Sequence, residues 1–419
     1  SDSYSGESPF KPRIQDKANP KMAVQLADGS TSFDGTDDYI NTGASPRALV
    51  GSSSAFTVSA WINAQDDDND YIVGAMESGA ERFYFRVFDV SGTGYIRWGY
   101  GDTASSDTDA PINLNQWHHV VWTYDTTNAK VYVDGVLKNT TAVSGKTITN
   151  TDNLYIGALN NNGTTANYFN GSIANVSIHS SALTQTQVQE LMFTEKYSGL
   201  SADLKTNLVS WYDLGDTSLG SELVDEDART FDGTGTHSWG IYGTNSISNV
   251  DNNLVVTYVD DDRGAKLVLS DTNDLNTDLT AGITYQVTMN VKINTGDAFI
   301  RVYNGSSYET IGTVNSTSFT DVTGTFTAQS GTRTLNFDNM GSGEVITVNE
   351  FSIKEVQATD SEGSNEGSIY GATTNTGYTD SPHGVVDPLN FGEVYSGRAL
   401  NFDGVNDGVT FGQVDLTDE

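Results

Sequence analysis

The 419-residue sequence contains no cysteine. That absence excludes a disulfide framework, a thiol nucleophile and a thiolate zinc site. Basic residues are scarce: 21 Lys and Arg stand against 55 Asp and Glu, a formal net charge of −34. A chain this short of cations is unsuited to neutralising a phosphate backbone, so nucleic acid is excluded as a partner. No apolar run approaches the roughly 18–20 residues that a bilayer-crossing helix requires, and no membrane insertion is expected. Proline is rare, with 7 residues, whereas glycine is abundant, with 42. Aromatic residues make up 10% of the chain, enough to pack cores, so this is not a disordered acidic tail. At roughly 100–200 residues per domain, the length predicts two to four domains.

The first 23 residues differ from the rest. They hold Pro9, Pro12 and Pro20, together with Lys11, Arg13, Lys17 and Lys21, against Asp2, Glu7 and Asp16. An extended arm is expected, either a loose terminus or an anchor that docks on a partner. Ser1-Asp2-Ser3-Tyr4-Ser5-Gly6 has no charged-then-apolar leader pattern. A trimmed initiator Met and a removed signal peptide both fit this start.

Beyond the arm the periodicity is β. Phe56, Val58, Ala60 and Ile62 alternate onto one face, and Arg82–Phe88 is apolar on both faces, as in a central strand. His119–Tyr124 and Lys130–Val133 are strands joined by Asp125-Thr126-Thr127-Asn128, and Asp134-Gly135 signals a two-residue hairpin. Thr184-Gln185-Thr186-Gln187 reads as a capping box, with Val188, Leu191 and Met192 on one helical face. The expected fold class is all-β: tandem antiparallel jelly-roll sandwiches with one short helix near 184–196. Phe33-Asp34-Gly35-Thr36-Asp37-Asp38-Tyr39 recurs as Phe402-Asp403-Gly404-Val405-Asn406-Asp407-Gly408, so a second copy begins late in the chain.

Several motifs occur in order: Phe33–Ile40, Phe56–Ile62, Gln116-Trp117-His118-His119-Val120-Val121, Val131–Gly135, and Gly171–Ile178 followed by Ala182-Leu183-Thr184. Together they resemble the laminin-G-like, concanavalin A-like jelly-roll family over about residues 24–197. Asn207-Leu208-Val209-Ser210-Trp211-Tyr212-Asp213-Leu214 resembles that family's opening strand. The resemblance implies a second, incomplete laminin-G-like domain over 198–220 and 358–419. Between these segments, Gly282–Val287, Phe319–Thr327 and Val348–Val356 resemble a carbohydrate-binding jelly roll of the family 4/9 type, inserted at about 221–357.

Candidate sites follow. Trp98 with Tyr100, and Trp239 with Tyr242, are aromatics of the kind that stack on sugar rings, and they are equally suited to core packing. Asp34, Asp37 and Asp38 offer the several oxygens that Ca²⁺ needs, as laminin-G-like domains often do, or else a turn whose carboxylate caps backbone amides. His118 and His119 are strand neighbours that point to opposite faces, which favours a structural role over a shared metal. No catalytic constellation emerges.

The expected function is therefore non-enzymatic. The module combination resembles tail, head-fibre or decoration proteins of tailed phages. That resemblance implies a homo-oligomer on a virion surface, docked on capsid or tail proteins through Lys11, Arg13, Lys17 and Lys21, and facing host-surface polysaccharide. The alternatives are a secreted bacterial cell-surface glycan-binding protein and the accessory region of a polysaccharide-degrading enzyme.

Overall fold

The computed structural model describes residues 29–375, apart from 52–53, 67–68, 78–80, 105–109, 195, 234 and 260–262. The arm cations Lys11, Arg13, Lys17 and Lys21 and the second Phe-Asp-Gly motif lie outside the described residues. What is described is β-sandwich throughout. In the first sandwich one sheet runs through strands Ser30–Asp34, Asn170–His179, Phe56–Ala64, His118–Tyr124, Asn128–Val133 and Val136–Ala142, all antiparallel. The facing sheet contains Tyr39–Asn41, Tyr155–Ile156, Tyr71–Glu77, Glu81–Asp89 and Gly94–Gly101.

The alternating residues meet between these sheets. Phe56, Val58, Ala60 and Ile62 share one core with Phe83, Phe85, Trp98 and Trp122. The other face of Phe56–Ala64 is buried as well, because the helix Gln185–Met192 and the segment after it cover that side. Its capping box is formed: the Thr184 amide donates to Gln187 Oε1 at 3.0 Å, and the Gln187 amide donates to Thr184 Oγ1 at 3.3 Å. Val188, Leu191 and Met192 are its buried residues, and the helix ends at Met192 rather than near 196. Three more short α-helices occur among the described residues, at Pro46–Val50, Ala202–Lys205 and Glu226–Arg229. They span four or five residues, too few to display a helical period. At the Asp134-Gly135 hairpin both residues have positive φ, +51° and +73°, which suits a two-residue turn.

The expectation of a second laminin-G-like domain is corrected for the described parts of 198–220 and 358–419. Strand Leu208–Glu222 pairs through Leu208–Tyr212 with Val176–His179 of the first sandwich. Gly367–Tyr370 pairs with Tyr39–Asn41, and Thr373–Asn375 pairs with Ser30–Ser32. Tyr212, Leu214, Ala358, Ile369 and Ala372 lie in the same core as Phe56 and Trp122. The physical reason is edge closure: strands 30–34 and 39–41 carry unpaired backbone groups that these late strands satisfy.

Residues 224–353 form a second core of their own. One sheet comprises Ser246–Asn249, Leu254–Thr257, the first part of Val345–Asp360, Thr284–Ile293 and Thr320–Thr327. The other is five-stranded: Gly240–Ile241, Arg263–Val268, Thr334–Asp338, Ala298–Tyr303 and Tyr308–Val314. The chain enters and leaves this module on two paired strands, with Thr217 opposite Ala358, Leu219 opposite Val356 and Glu222 opposite Lys354.

Asp360, only 4% exposed, organises the junction. Its carboxylate accepts the amides of Trp211 (2.9 Å), Gly363 (3.0 Å) and Glu362 (3.3 Å). Removing a buried charged acceptor strands these amides, and one such hydrogen bond contributes about 1.5–3 kcal/mol. Asp360→Ala is expected to lower unfolding stability by about 3 kcal/mol in chemical denaturation, and Asp360→Asn by less. An Asp360→Ala midpoint equal to that of the parent would contradict this role.

Candidate functional site

Three of the four expected sugar platforms lie in the cores. Trp98 and Tyr100 are 0% and 1% exposed, and Trp98 stacks on Trp122 with centroids 5.8 Å apart. Trp239 is 4% exposed and stacks on Phe337 at 5.6 Å. The sugar-binding expectation is therefore corrected for all three, because their rings fill the sandwiches and present no face to a ligand. Tyr242 alone lies at a surface.

Tyr242 belongs to the outer side of the five-stranded sheet. On these strands Ala265, Leu267, Leu335, Phe337, Ile300 and Val302 point into the core. Their neighbours Lys266, Asn336 and Arg301 form a row across the opposite face, and Thr334, Tyr303 and Tyr308 form the adjacent row. The turn at Tyr242 is held by the buried Asn245, whose side-chain amide donates to the Arg263 carbonyl at 2.6 Å and whose oxygen accepts the Val259 amide at 2.7 Å. The Tyr242 hydroxyl donates to Asn336 Oδ1 at 2.9 Å. Burial, reinforced by Tyr308, pushes the Tyr242 phenol up to about 12, so it keeps its proton.

Tyr303 and Tyr308 face each other across a hairpin, with ring centroids 5.0 Å apart. Asn304-Gly305-Ser306-Ser307 makes the turn: Asn304 Oδ1 accepts the amides of Ser306 (2.9 Å) and Ser307 (3.0 Å), and Gly305 takes φ +111°. Tyr308 is 45% exposed, a large aromatic at the surface. The Arg301 guanidinium carbon sits 5.4 Å from the Tyr308 centroid while Nη1 pairs with Asp338 Oδ2 at 3.0 Å. Tyr303 and Tyr308 did not emerge from the sequence reading, although Tyr303-Asn304-Gly305 through Tyr308 carries an Asn-Gly turn signal flanked by tyrosines.

Asp34, Asp37 and Asp38 do converge, each offering a carboxylate oxygen within 4.8 Å of the others. Hydrogen bonds already occupy part of this set. Asp34 Oδ1 accepts the amides of Thr36 (2.7 Å) and Asp37 (3.3 Å), and Asp38 Oδ2 accepts the Asp34 amide at 2.9 Å. These are the bonds of a capped turn. Burial, reinforced by Asp34 and Asp37, pushes the Asp38 carboxyl up to about 6. The histidines are structural: His118 Nδ1 lies 2.8 Å from Asp134 Oδ2 and its Nε2 accepts the Asn113 amide at 3.1 Å, while His119 Nε2 lies 2.8 Å from Ser59 Oγ.

A separate groove of about 440 Å³ is lined by Glu222, Val224, Glu226, Arg229, Asn276 and Lys354. The Glu222 carboxylate there is taken up by the amides of Leu223, Val224 and Ile353 and by the Ser352 hydroxyl. That carboxylate is thus committed to donors within the protein.

Comparison with family models matches residues 34–189 to the laminin-G-like family described as the concanavalin A-like lectin/glucanases superfamily. The first sandwich is thus a concanavalin A-like jelly roll. No curated protein matches the chain. Among solved structures, the chain is similar to a heptameric SAP-like pentraxin from Limulus polyphemus (21% identity, 39% of this chain and 81% of that one, TM-score 0.33). It is also similar to a protein of Bacteroides ovatus assigned to carbohydrate binding (22% identity, 47% of this chain and 54% of that one, TM-score 0.37). A third is domain 4 of an extracellular arabinanase from Geobacillus stearothermophilus, solved with arabinotriose (20% identity, 39% and 75%, TM-score 0.31).

The Asp38 carboxyl yields a pH test. An unfolded Asp titrates near 3.8. Between about 4 and 6 the folded chain therefore holds a proton that the unfolded chain has lost, and stability falls as pH rises through that window. In cation-free buffer, Asp38→Asn is expected to raise the unfolding midpoint at pH 7–8 and to leave it nearly unchanged at pH 4. Equal effects at both pH values would contradict the raised carboxyl.

Proposed function

We propose that this is a non-catalytic glycan-binding protein whose contact surface is the outer face of the five-stranded sheet, centred on Tyr308. The observation that carries this reading is the grouping of Tyr242, Tyr303 and Tyr308 beside Arg301, Asn336 and Asp338, with Tyr308 exposed. A phenol ring stacks on the C–H face of a pyranose, and the half-exposed Arg301 and the phenol hydroxyls take its hydroxyls, while Asn336 and Asp338 are buried behind them and position the rings. A binding role is supported over hydrolysis because Asp338 is engaged by Arg301, whereas glycoside cleavage needs two carboxyl groups flanking the bond.

Display on a virion surface is the finer proposal: the arm with Lys11, Arg13, Lys17 and Lys21 docks on capsid or tail proteins, and a homo-oligomer turns its sandwiches outward. It is supported by the contrast between the basic, proline-containing arm and the acidic remainder. Cross-linking of the arm to capsid or tail proteins in purified particles tests it. Calcium at Asp34, Asp37 and Asp38 is a further proposal, supported by the convergence of three carboxylates. A ligand that binds only the folded chain stabilises it, so added Ca²⁺ should raise the melting temperature and Asp34→Ala should abolish the rise. No change on Ca²⁺ addition or EDTA treatment removes the ion from the account.

For the glycan face, Tyr308→Ala is expected to weaken retention in polysaccharide affinity electrophoresis by about tenfold, as loss of a central aromatic contact does. The melting temperature should stay close to that of the parent, since the ring is exposed. Undiminished retention would contradict the assignment of this face.

A further inference from the structure

The charges around the tyrosine cluster carry a sharper statement, one that rests on the glycan-binding reading. Strands Arg263–Val268, Ala298–Tyr303, Tyr308–Val314 and Thr334–Asp338 carry Arg263, Lys266 and Arg301 against Glu309 and Asp338. Asp260-Asp261-Asp262 directly precede Arg263, Asp297 precedes Ala298, and Arg333 precedes Thr334. Acids therefore outnumber bases by six to four along these segments, within a chain whose net charge is −34. The Arg301 charge is met by Asp338, Nη1 to Oδ2 at 3.0 Å. Arg263 and Lys266 lie over the Tyr242 ring, at 4.2 and 5.1 Å from its centroid.

The groups that the face offers beside Tyr308 are mostly neutral. Alternation turns Phe299, Arg301 and Tyr303 outward, and Thr313, Thr310 and Tyr308 lie opposite them on the neighbouring strand. Tyr308, Thr310 and Thr313 are all exposed. Hydroxyls of this kind both donate and accept hydrogen bonds, as the hydroxyls of a sugar do. A carboxylate or sulfate meets a different surface. Salt screens charges beyond roughly 8 Å, so the nearer ones decide its fate, and no excess of cations waits there. Like charges brought together at a contact disfavour it, whereas an uncharged sugar carries no such penalty.

We propose that the face selects uncharged glycans over the acidic form of the same backbone: the pyranose stacks on Tyr308, its hydroxyls meet Arg301, Tyr303 and Thr310, and the surrounding carboxylates repel uronic-acid or sulfated polymers.

The test is affinity electrophoresis of the full chain against two pairs of gels, each pair sharing one backbone. Hydroxyethylcellulose stands against carboxymethylcellulose, and fully methyl-esterified polygalacturonate against the free acid. The expected result is retention by one or both neutral polymers, lost in Tyr308→Ala, and about tenfold weaker retention by the acidic partner at low salt. Raising NaCl to about 0.5 M should narrow that gap by screening, while leaving neutral retention in place. Thr310→Lys, which adds a cation two residues from Tyr308, should raise retention by the acidic polymer.

Stronger retention by an acidic polymer than by its neutral partner would overturn the preference and leave the glycan face intact. So would a gap that ignores both salt and Thr310→Lys. Neutral retention that ignores Tyr308→Ala, or no retention by any of the four polymers, would overturn the glycan face itself.

Discussion

The paired strands at Tyr212 and Asp360 are the constraint on which the rest of the molecule depends. Tyr212 lies opposite Asp360, and the Asp360 carboxylate holds the Trp211 amide. On one side of this pair the chain closes the first sandwich, through Leu208–Tyr212 against Val176–His179 and through Gly367–Tyr370 against Tyr39–Asn41. On the other side the same two strands run on into the second sandwich. Thr31 Oγ1, donating to the Leu214 carbonyl at 2.8 Å, ties the earliest described strand to this joint. Tyr39 stacks between Tyr155 and Tyr370, at 4.6 and 4.3 Å, and Tyr370 also packs against the second core. Gly371 completes the fit: its φ is +72°, and a Cβ there would lie 2.1 Å from Asp38 Oδ1.

The division of aromatic residues between core and surface follows from the same construction. Trp98, Trp122, Phe56 and Phe83 fill the space between two sheets that would otherwise enclose voids, and large rings are the efficient way to do so. Trp239 does the same in the second sandwich, against Phe337 and Phe351. Tyrosine is the residue left for the outer face, where its hydroxyl can be satisfied by Asn336 or water. Arg263 and Arg301 lie over two of those rings, where a guanidinium keeps much of its hydration while gaining the attraction of the ring.

Much of the first sandwich was legible in the sequence because its signals are local. The alternation at Phe56–Ile62, the Asp134-Gly135 turn and the Thr184 capping box each depend on a few adjacent residues, and each occurs where the sequence places it. The partnership of Leu208–Leu214 with the first sandwich was not legible. An opening-strand motif shows that a strand forms but not which edge it joins, and that edge is set by registers between distant segments. Burial of Trp98 and Trp239 was equally hidden, since alternation tells which residues share a face and not what covers it. Tyr308 was within reach, as the partner of Tyr303 across an Asn-Gly turn, but its exposure depends on the packing of three other strands.

Entry to and exit from the second module lie side by side on one ribbon, and this decides how the molecule carries tension. A pull on the backbone from the first sandwich passes across the rungs at Thr217–Ala358 and Leu219–Val356 before it can reach the module beyond them. The second sandwich thus hangs outside the line of force. Its own strands are not stretched in series with the rest of the chain.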